Sequence, residues 1–177
     1  MLSDKEKKGM VMIYTGHGKG KTTAALGQML RARGWNMRVV MFQFIKNTGL
    51  DTGEHRAAKE LGLDIRLLGT GFTWDTKDQT KAKALAVEQW YHCRKAILSG
   101  QFDMIVMDEV SYPINCEWIL LSEVMDTIRC RPEGMHLLLT GRDMPQPLKD
   151  MADLITEMTE IKHPYQQGIK ARKGIEF

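Results

Sequence analysis

A mainly parallel α/β sheet of about six strands, flanked by helices in a single domain, is the fold this sequence predicts. Three observations carry that expectation. Short apolar runs alternate with stretches of helical periodicity, the order of a βαβ chain. One apolar run, Met10-Val11-Met12-Ile13-Tyr14, passes through a glycine loop into a helical pattern. Another, Asp103-Met104-Ile105-Val106-Met107-Asp108, is a buried strand tipped with acid.

The elements follow in order. The first strand is expected at 10–14 and the first helix at 22–33, stopped by Gly34. A second strand covers 38–44, and a helix at 54–61 ends at Gly62. A short strand at 64–68 precedes a long helical pattern at 78–98, closed by Ser99-Gly100. The acid-tipped strand at 103–108, a helix at 122–130 and a strand at 136–140 come next. A short helix at 146–151 and a strand at 154–160 complete the sheet, and a polar tail past Ile161 is expected on the surface. The loop at 46–53 follows a strand end, the edge where open α/β sheets bind ligands.

Composition narrows the function classes. At 43% hydrophobic and 27% charged, the 177 residues suit one soluble domain with its own core. A net charge of +3 is too small to argue for nucleic acid or a membrane surface as partner. No apolar stretch approaches the length of a bilayer span, and no secretory signal is visible. Residues 1–9, with Lys5-Glu6-Lys7-Lys8, read as a flexible N-terminal segment, leaving 10–177 as the domain. Cys93, Cys116 and Cys130 are odd in number and lack metal-site spacing, so reduced thiols in a cytoplasmic protein are expected. The five histidines show no metal spacing, and the thirteen methionines read as core filler.

The loop Thr15-Gly16-His17-Gly18-Lys19-Gly20-Lys21-Thr22-Thr23 carries the chemistry. Glycines let backbone N–H groups converge on phosphate oxygens at a helix N-terminus. Lys21 supplies a point charge for a terminal phosphate, and Thr22 a hydroxyl for a magnesium ion. The common pattern sets a glycine five residues before the one that precedes lysine; here Thr15 holds that place and Gly16 comes one residue late. The competing reading is a glycine-rich turn without ligand. Asp108-Glu109 is the second nucleotide element, able to hold magnesium directly or through water, or else an ordinary acidic loop start. Phe72 and Trp74, two apart in Gly71-Phe72-Thr73-Trp74-Asp75, point the same way in an extended segment. By pattern alone they read as a buried aromatic pair. Arg31, nine residues beyond Thr22, reads by itself as a solvated helix residue.

The loop resembles that of the P-loop type of ATP:corrinoid adenosyltransferase, with His17 in place of the asparagine of that family's Thr-Gly-Asn-Gly-Lys-Gly-Lys-Thr-Thr. Gln43-Phe44-Ile45-Lys46, the block from Gly71 to Asp75, Asp108-Glu109, Thr140-Gly141-Arg142 and the tail from His163 to Ile175 are similar to family blocks in family order. The resemblance implies a single P-loop NTPase-like domain. It implies transfer of the 5′-deoxyadenosyl group of ATP to the cobalt(I) of a reduced corrinoid, with release of triphosphate. Magnesium (or manganese) would be held by Thr22 and Glu109. ATP would be held by Gly16, His17, Gly18, Lys19, Gly20, Lys21, Thr22, Thr23 and Arg31, reversed relative to most P-loop proteins. Lys21, Thr22 and Glu109 would assist the chemistry. His17 would either donate to phosphate or serve the turn. Phe72 and Trp74 would lie under the corrin ring and displace the lower cobalt ligand. Gln43, Lys46 and Asp75 are further, unranked candidates for ligand contact. A reduced flavoprotein donor and a homodimer are implied as well. An ATP-hydrolysing P-loop enzyme or kinase and a non-catalytic nucleotide-binding protein are the alternatives, and neither explains the Gly71–Asp75 block.

Overall fold

The computed structural model describes residues 8–45, 52–67 and 79–176. Six strands form one sheet: β1 Val11–Thr15, β2 Val39–Gln43, β3 Asp64–Leu67, β4 Met104–Asp108, β5 His136–Thr140 and β6 Leu154–Glu157. Their order is β3-β2-β4-β5-β1-β6, and every neighbouring pair is parallel. The helices are α1 Lys21–Gly34, α2 Gly53–Leu61, α3 Gln79–Leu98, α4 Ser111–Asn115, α5 Leu121–Arg129 and α6 Gln146–Asp150. A 3-10 turn at Pro164–Gln167 follows. Among the described residues no helix is long and apolar enough to cross a membrane.

Strand periodicity decides which face each side chain joins. Met12, Val39, Met41, Met104, Val106 and Leu138 pack with Ala25, Met29 and Ala32 of α1 on one face. The intervening residues, such as Ile13, Val40, Phe42, Ile105, Met107 and Leu139, pack on the other with Trp90, Cys93 and Ile97 of α3 and Val124 and Ile128 of α5. Inner strands buried on both faces read as continuous apolar runs, which is why they were visible in the sequence.

Several boundaries differ from expectation. Helix α4 is additional: five residues with a proline at the third position show no helical period, and Pro113 is tolerated because first-turn N–H groups need no intrahelical partner. Strand β6 ends at Glu157 rather than 160, where its pairing with β1 runs out. Gly9, expected in the flexible segment, is buried, and its N–H donates to Glu133 O at 2.6 Å. Lys46, Phe72, Trp74 and Asp75 lie outside the described residues.

Candidate functional site

The same alternation that builds the core builds the site. Gln43, Asp108 and Thr140 end three adjacent strands and share the parity of the residues facing α1. They form a polar row where the apolar face stops. Asp108 is wholly buried. Its Oδ1 accepts from Thr140 Oγ1 at 2.7 Å, and its Oδ2 from Gln43 Nε2 at 3.2 Å. Thr22 Oγ1, in the first turn of α1, donates to the same carboxylate at 3.0 and 3.3 Å. A buried carboxylate requires such partners.

Thr140 Oγ1 also accepts the Glu109 N–H at 2.9 Å. Glu109 has φ +58, a left-handed conformation uncommon outside glycine. A residue in that state is retained where its surroundings determine it, commonly at functional sites.

The glycine loop turns between β1 and α1. Gly16 has φ +96, and a Cβ there would meet Met158 O at 2.5 Å. Gly20 caps α1 with φ +110. Lys21 is 5% exposed and donates from Nζ to Gly16 O at 2.7 Å and Gly18 O at 2.9 Å. Burial pushes its pKa below the ordinary lysine range; Glu109 opposes the shift, Arg142 adds to it, and Asp108 opposes it again. The first turn of α1 carries no acidic residue, so the positive end of the helix dipole is left to an external anion.

These groups open into a cavity of about 560 Å³. Residues 18–23 form its floor, Gly53, Glu54 and Ala57 of α2 one wall, and Glu109, Arg142 and the tail at 174–176 the remainder. The tail is tied to the loop by an ion pair between Glu176 and Lys19. His17 Nε2 lies 3.0 Å from Asp143 Oδ1, with both side chains largely exposed.

The family model for ATP:corrinoid adenosyltransferase BtuR/CobO/CobP matches residues 7–177. The chain belongs to that family. Among curated adenosyltransferase relatives, the corrinoid adenosyltransferase of Escherichia coli (strain K12) is 34% identical over 172 residues, 97% of this chain and 87% of that protein. The corrinoid adenosyltransferase CobA of Salmonella typhimurium (strain LT2) is 34% identical over the same shares. That of Sinorhizobium sp is 35% identical over 181 residues, covering 100% of this chain and 84% of its own. The solved structure of the flagellar accessory protein FlaH from Methanocaldococcus jannaschii has a TM-score of 0.56 at 11% identity, covering 85% of this chain and 71% of that one, a likeness of fold alone.

Set on this adenosyltransferase scaffold, Gly18, Lys19, Gly20, Lys21, Thr22, Thr23 and Glu109 all line the cavity. Gly16 and His17 are not among the lining residues: Gly16 O accepts from Lys21 Nζ, and His17 is turned toward Asp143. Arg31 is exposed on α1, ten residues and about 15 Å along the axis from Lys21, and does not line the cavity. Three charged cavity residues had no site role in the sequence: Glu54, Glu176 and Arg142, the last quoted only as part of a family block. Arg142 stands two residues past the end of β5, a strand-end position like that of Asp108-Glu109 after the apolar run of β4. Glu54 and Glu176 carry no such signal, since only tertiary contact brings α2 and the tail to the loop.

Proposed function

We propose that this chain transfers the 5′-deoxyadenosyl group of ATP to the cobalt(I) of a reduced corrinoid and releases triphosphate. One observation supports the reading for this chain: the family's glycine loop borders an open cavity at a helix N-terminus, a setting suited to phosphate. The buried Lys21 and the free helix N-terminus meet in a cavity large enough for a nucleotide. The nucleophile is the metal of the corrinoid substrate. Its electron pair forms the cobalt–carbon bond at C5′, the C5′–O bond breaks, and the electron pair of that bond leaves on triphosphate. The protein therefore supplies orientation and electrostatics rather than a side-chain nucleophile.

In this reading Lys21 exchanges its loop carbonyls for phosphate oxygens. That exchange is favourable because the carbonyls are neutral acceptors and the phosphate is charged. Lys19 and Arg142 add positive charge at the same cavity, and the N-terminus of α1 a partial one. The donors present fit magnesium. Thr22 and Glu109 offer oxygen ligands from the cavity lining, and Thr22 directs its proton to Asp108, leaving oxygen lone pairs for a cation. A bound magnesium ion would neutralise charge developing on the leaving triphosphate.

Phe72 and Trp74 are the proposed corrinoid contacts, His17 and Arg31 complete the proposed ATP set, and a reduced flavoprotein is the proposed electron donor. A homodimer and a cytoplasmic location complete the reading. The test is product identity. Incubated with ATP and chemically reduced corrinoid, the protein should yield one triphosphate per cobalt–carbon bond. ADP as the phosphate product would replace this reading with that of an ATP-hydrolysing enzyme.

A further inference from the structure

We propose that His55 is a positioning residue that acts through Gln43 on Asp108, and so holds the Thr22 hydroxyl in the orientation that ligates a divalent cation. The inference rests on the reading above that Thr22 holds that cation. His55 lies in the first turn of α2, outside every motif recognised in the sequence.

Four contacts make the chain. Thr52 Oγ1 is 2.9 Å from His55 Nδ1, and His55 Nε2 is 2.9 Å from Gln43 Oε1. Gln43 Nε2 is 3.2 Å from Asp108 Oδ2, and Asp108 Oδ1 is 3.0 Å from Thr22 Oγ1. Proton positions along it are dictated by elementary donor counting. An ionised carboxylate only accepts, so Gln43 must turn its NH₂ to Asp108 and its carbonyl oxygen to His55. That oxygen also only accepts, so His55 Nε2 carries the proton. In the neutral ring Nδ1 is then an acceptor, and the Thr52 hydroxyl donates to it. One amide orientation satisfies all four contacts and puts a proton on His55 Nε2; the Thr52 hydroxyl donates to Nδ1 of a neutral ring and accepts from Nδ1 of a charged one.

Burial makes the arrangement matter. Gln43 is 1% exposed and Asp108 0%, so a lost partner is not replaced by bulk water. Without the His55 donor, the Gln43 carbonyl loses the contact that fixes its amide plane. Asp108 then has one firm donor fewer on Oδ2, and its hold on the Thr22 proton loosens. A Thr22 proton turned toward the cavity opposes cation binding. The same contact ties the α2 wall, which carries Gly53, Glu54 and Ala57 at the cavity, to the ends of β2 and β4.

The test uses the full chain. Nitrogen-15 spectra of the histidine side chains should show a proton on His55 Nε2. Calorimetry should then follow ATP binding with and without magnesium in wild type, His55→Ala and His55→Gln. In His55→Ala the magnesium needed to strengthen ATP binding should rise about tenfold or more, as for other residues that orient metal ligands, with metal-free ATP affinity unchanged. His55→Gln, whose amide N–H can reach the same oxygen, should restore most of the loss. An Nδ1–H tautomer overturns the proposal, as does an unchanged magnesium titration in a folded His55→Ala. So does an equal loss of ATP affinity with and without metal, which marks a structural role, and so does a His55→Gln no better than alanine. A wild-type titration that magnesium does not strengthen overturns the cation reading itself, and this inference with it.

Discussion

Thr22 Oγ1 donates to Asp108 Oδ1 across 3.0 Å, joining the first turn of α1 to the tip of β4 across 86 residues of chain. The contact links the glycine loop's helix to the acid-tipped strand, which stand apart in the sequence. Asp108→Asn keeps the shape but turns one acceptor into a donor facing Thr22, Thr140 or Gln43, all of which already donate. The magnesium requirement should rise about tenfold or more, measured as adenosyl transfer against metal concentration. A wild-type titration in this variant would reduce Asp108 to a core residue.

Lys21 is held ready by two neutral carbonyls in a site that burial makes unfavourable for its charge. Lys21→Ala should lose about 2–4 kcal/mol of transition-state stabilisation, by analogy with removal of one oxyanion donor. The readout is kcat/KM for adenosyl transfer with chemically reduced corrinoid. An unchanged value would remove Lys21 from the mechanism.

Gly16 combines a φ of +96 with a Cβ position only 2.5 Å from Met158 O. Gly16→Ala must therefore strain its backbone and push β1 away from the segment after β6. A destabilisation of about 1–3 kcal/mol is expected, with a raised KM for ATP. Chemical denaturation measures the first effect; stability within error of wild type would show that the loop can relax.

Phe72 and Trp74, the proposed corrinoid contacts, offer a test that separates corrinoid chemistry from generic ATP hydrolysis. If they displace the lower cobalt ligand, Phe72→Ala and Trp74→Ala should impair reduction of cobalt(II) far more than ATP binding. Supplying cobalt(I) should rescue much of the rate. The spectrum of bound cobalt(II) with ATP should show a four-coordinate species in wild type and less of it in either variant. Parallel loss of ATP affinity and reduction would return both side chains to the core.

His136 gives a pH dependence whose sign can be worked out. Its Nδ1 accepts the Met10 N–H at 3.1 Å, which a protonated Nδ1 cannot do. Burial pushes its pKa down, Arg131 adds to the shift, and Asp103 partly opposes it. Between the lowered folded pKa and the unfolded value of about 6.5, the unfolded chain binds more protons, so stability rises with pH across that window. The contribution is complete above about pH 6.5 and is lost as pH falls through the folded pKa. His136→Gln, which still offers an acceptor, should flatten the fall in denaturation midpoint on acidification. An unchanged slope would assign the acid sensitivity to carboxylates.

The strands and the glycine loop were legible in the sequence because their signals are local. Val39–Gln43, Met104–Asp108 and His136–Thr140 are buried on both faces and so read as unbroken apolar runs. The loop before α1 is one contiguous stretch of glycines and lysines. Helix α4 was not legible, since five residues holding Pro113 make no period. Register was not legible either. That Gln43, Asp108 and Thr140 end in one row depends on β2, β4 and β5 being neighbours, which is a matter of packing between elements distant in the chain. His55, Arg142, Glu54 and Glu176 become site residues only through that packing, and Arg31, at the far end of α1, is kept from the cavity by the rise of its own helix. Residue order by itself determined the phosphate loop, the acid-tipped strand and the fold class, because each is a pattern of neighbours along the backbone. Tertiary structure alone decided which buried acid holds Thr22 and what holds that acid, because a hydrogen bond depends on distance in space, and Thr22, Gln43, His55 and Asp108 come together only when the sheet closes.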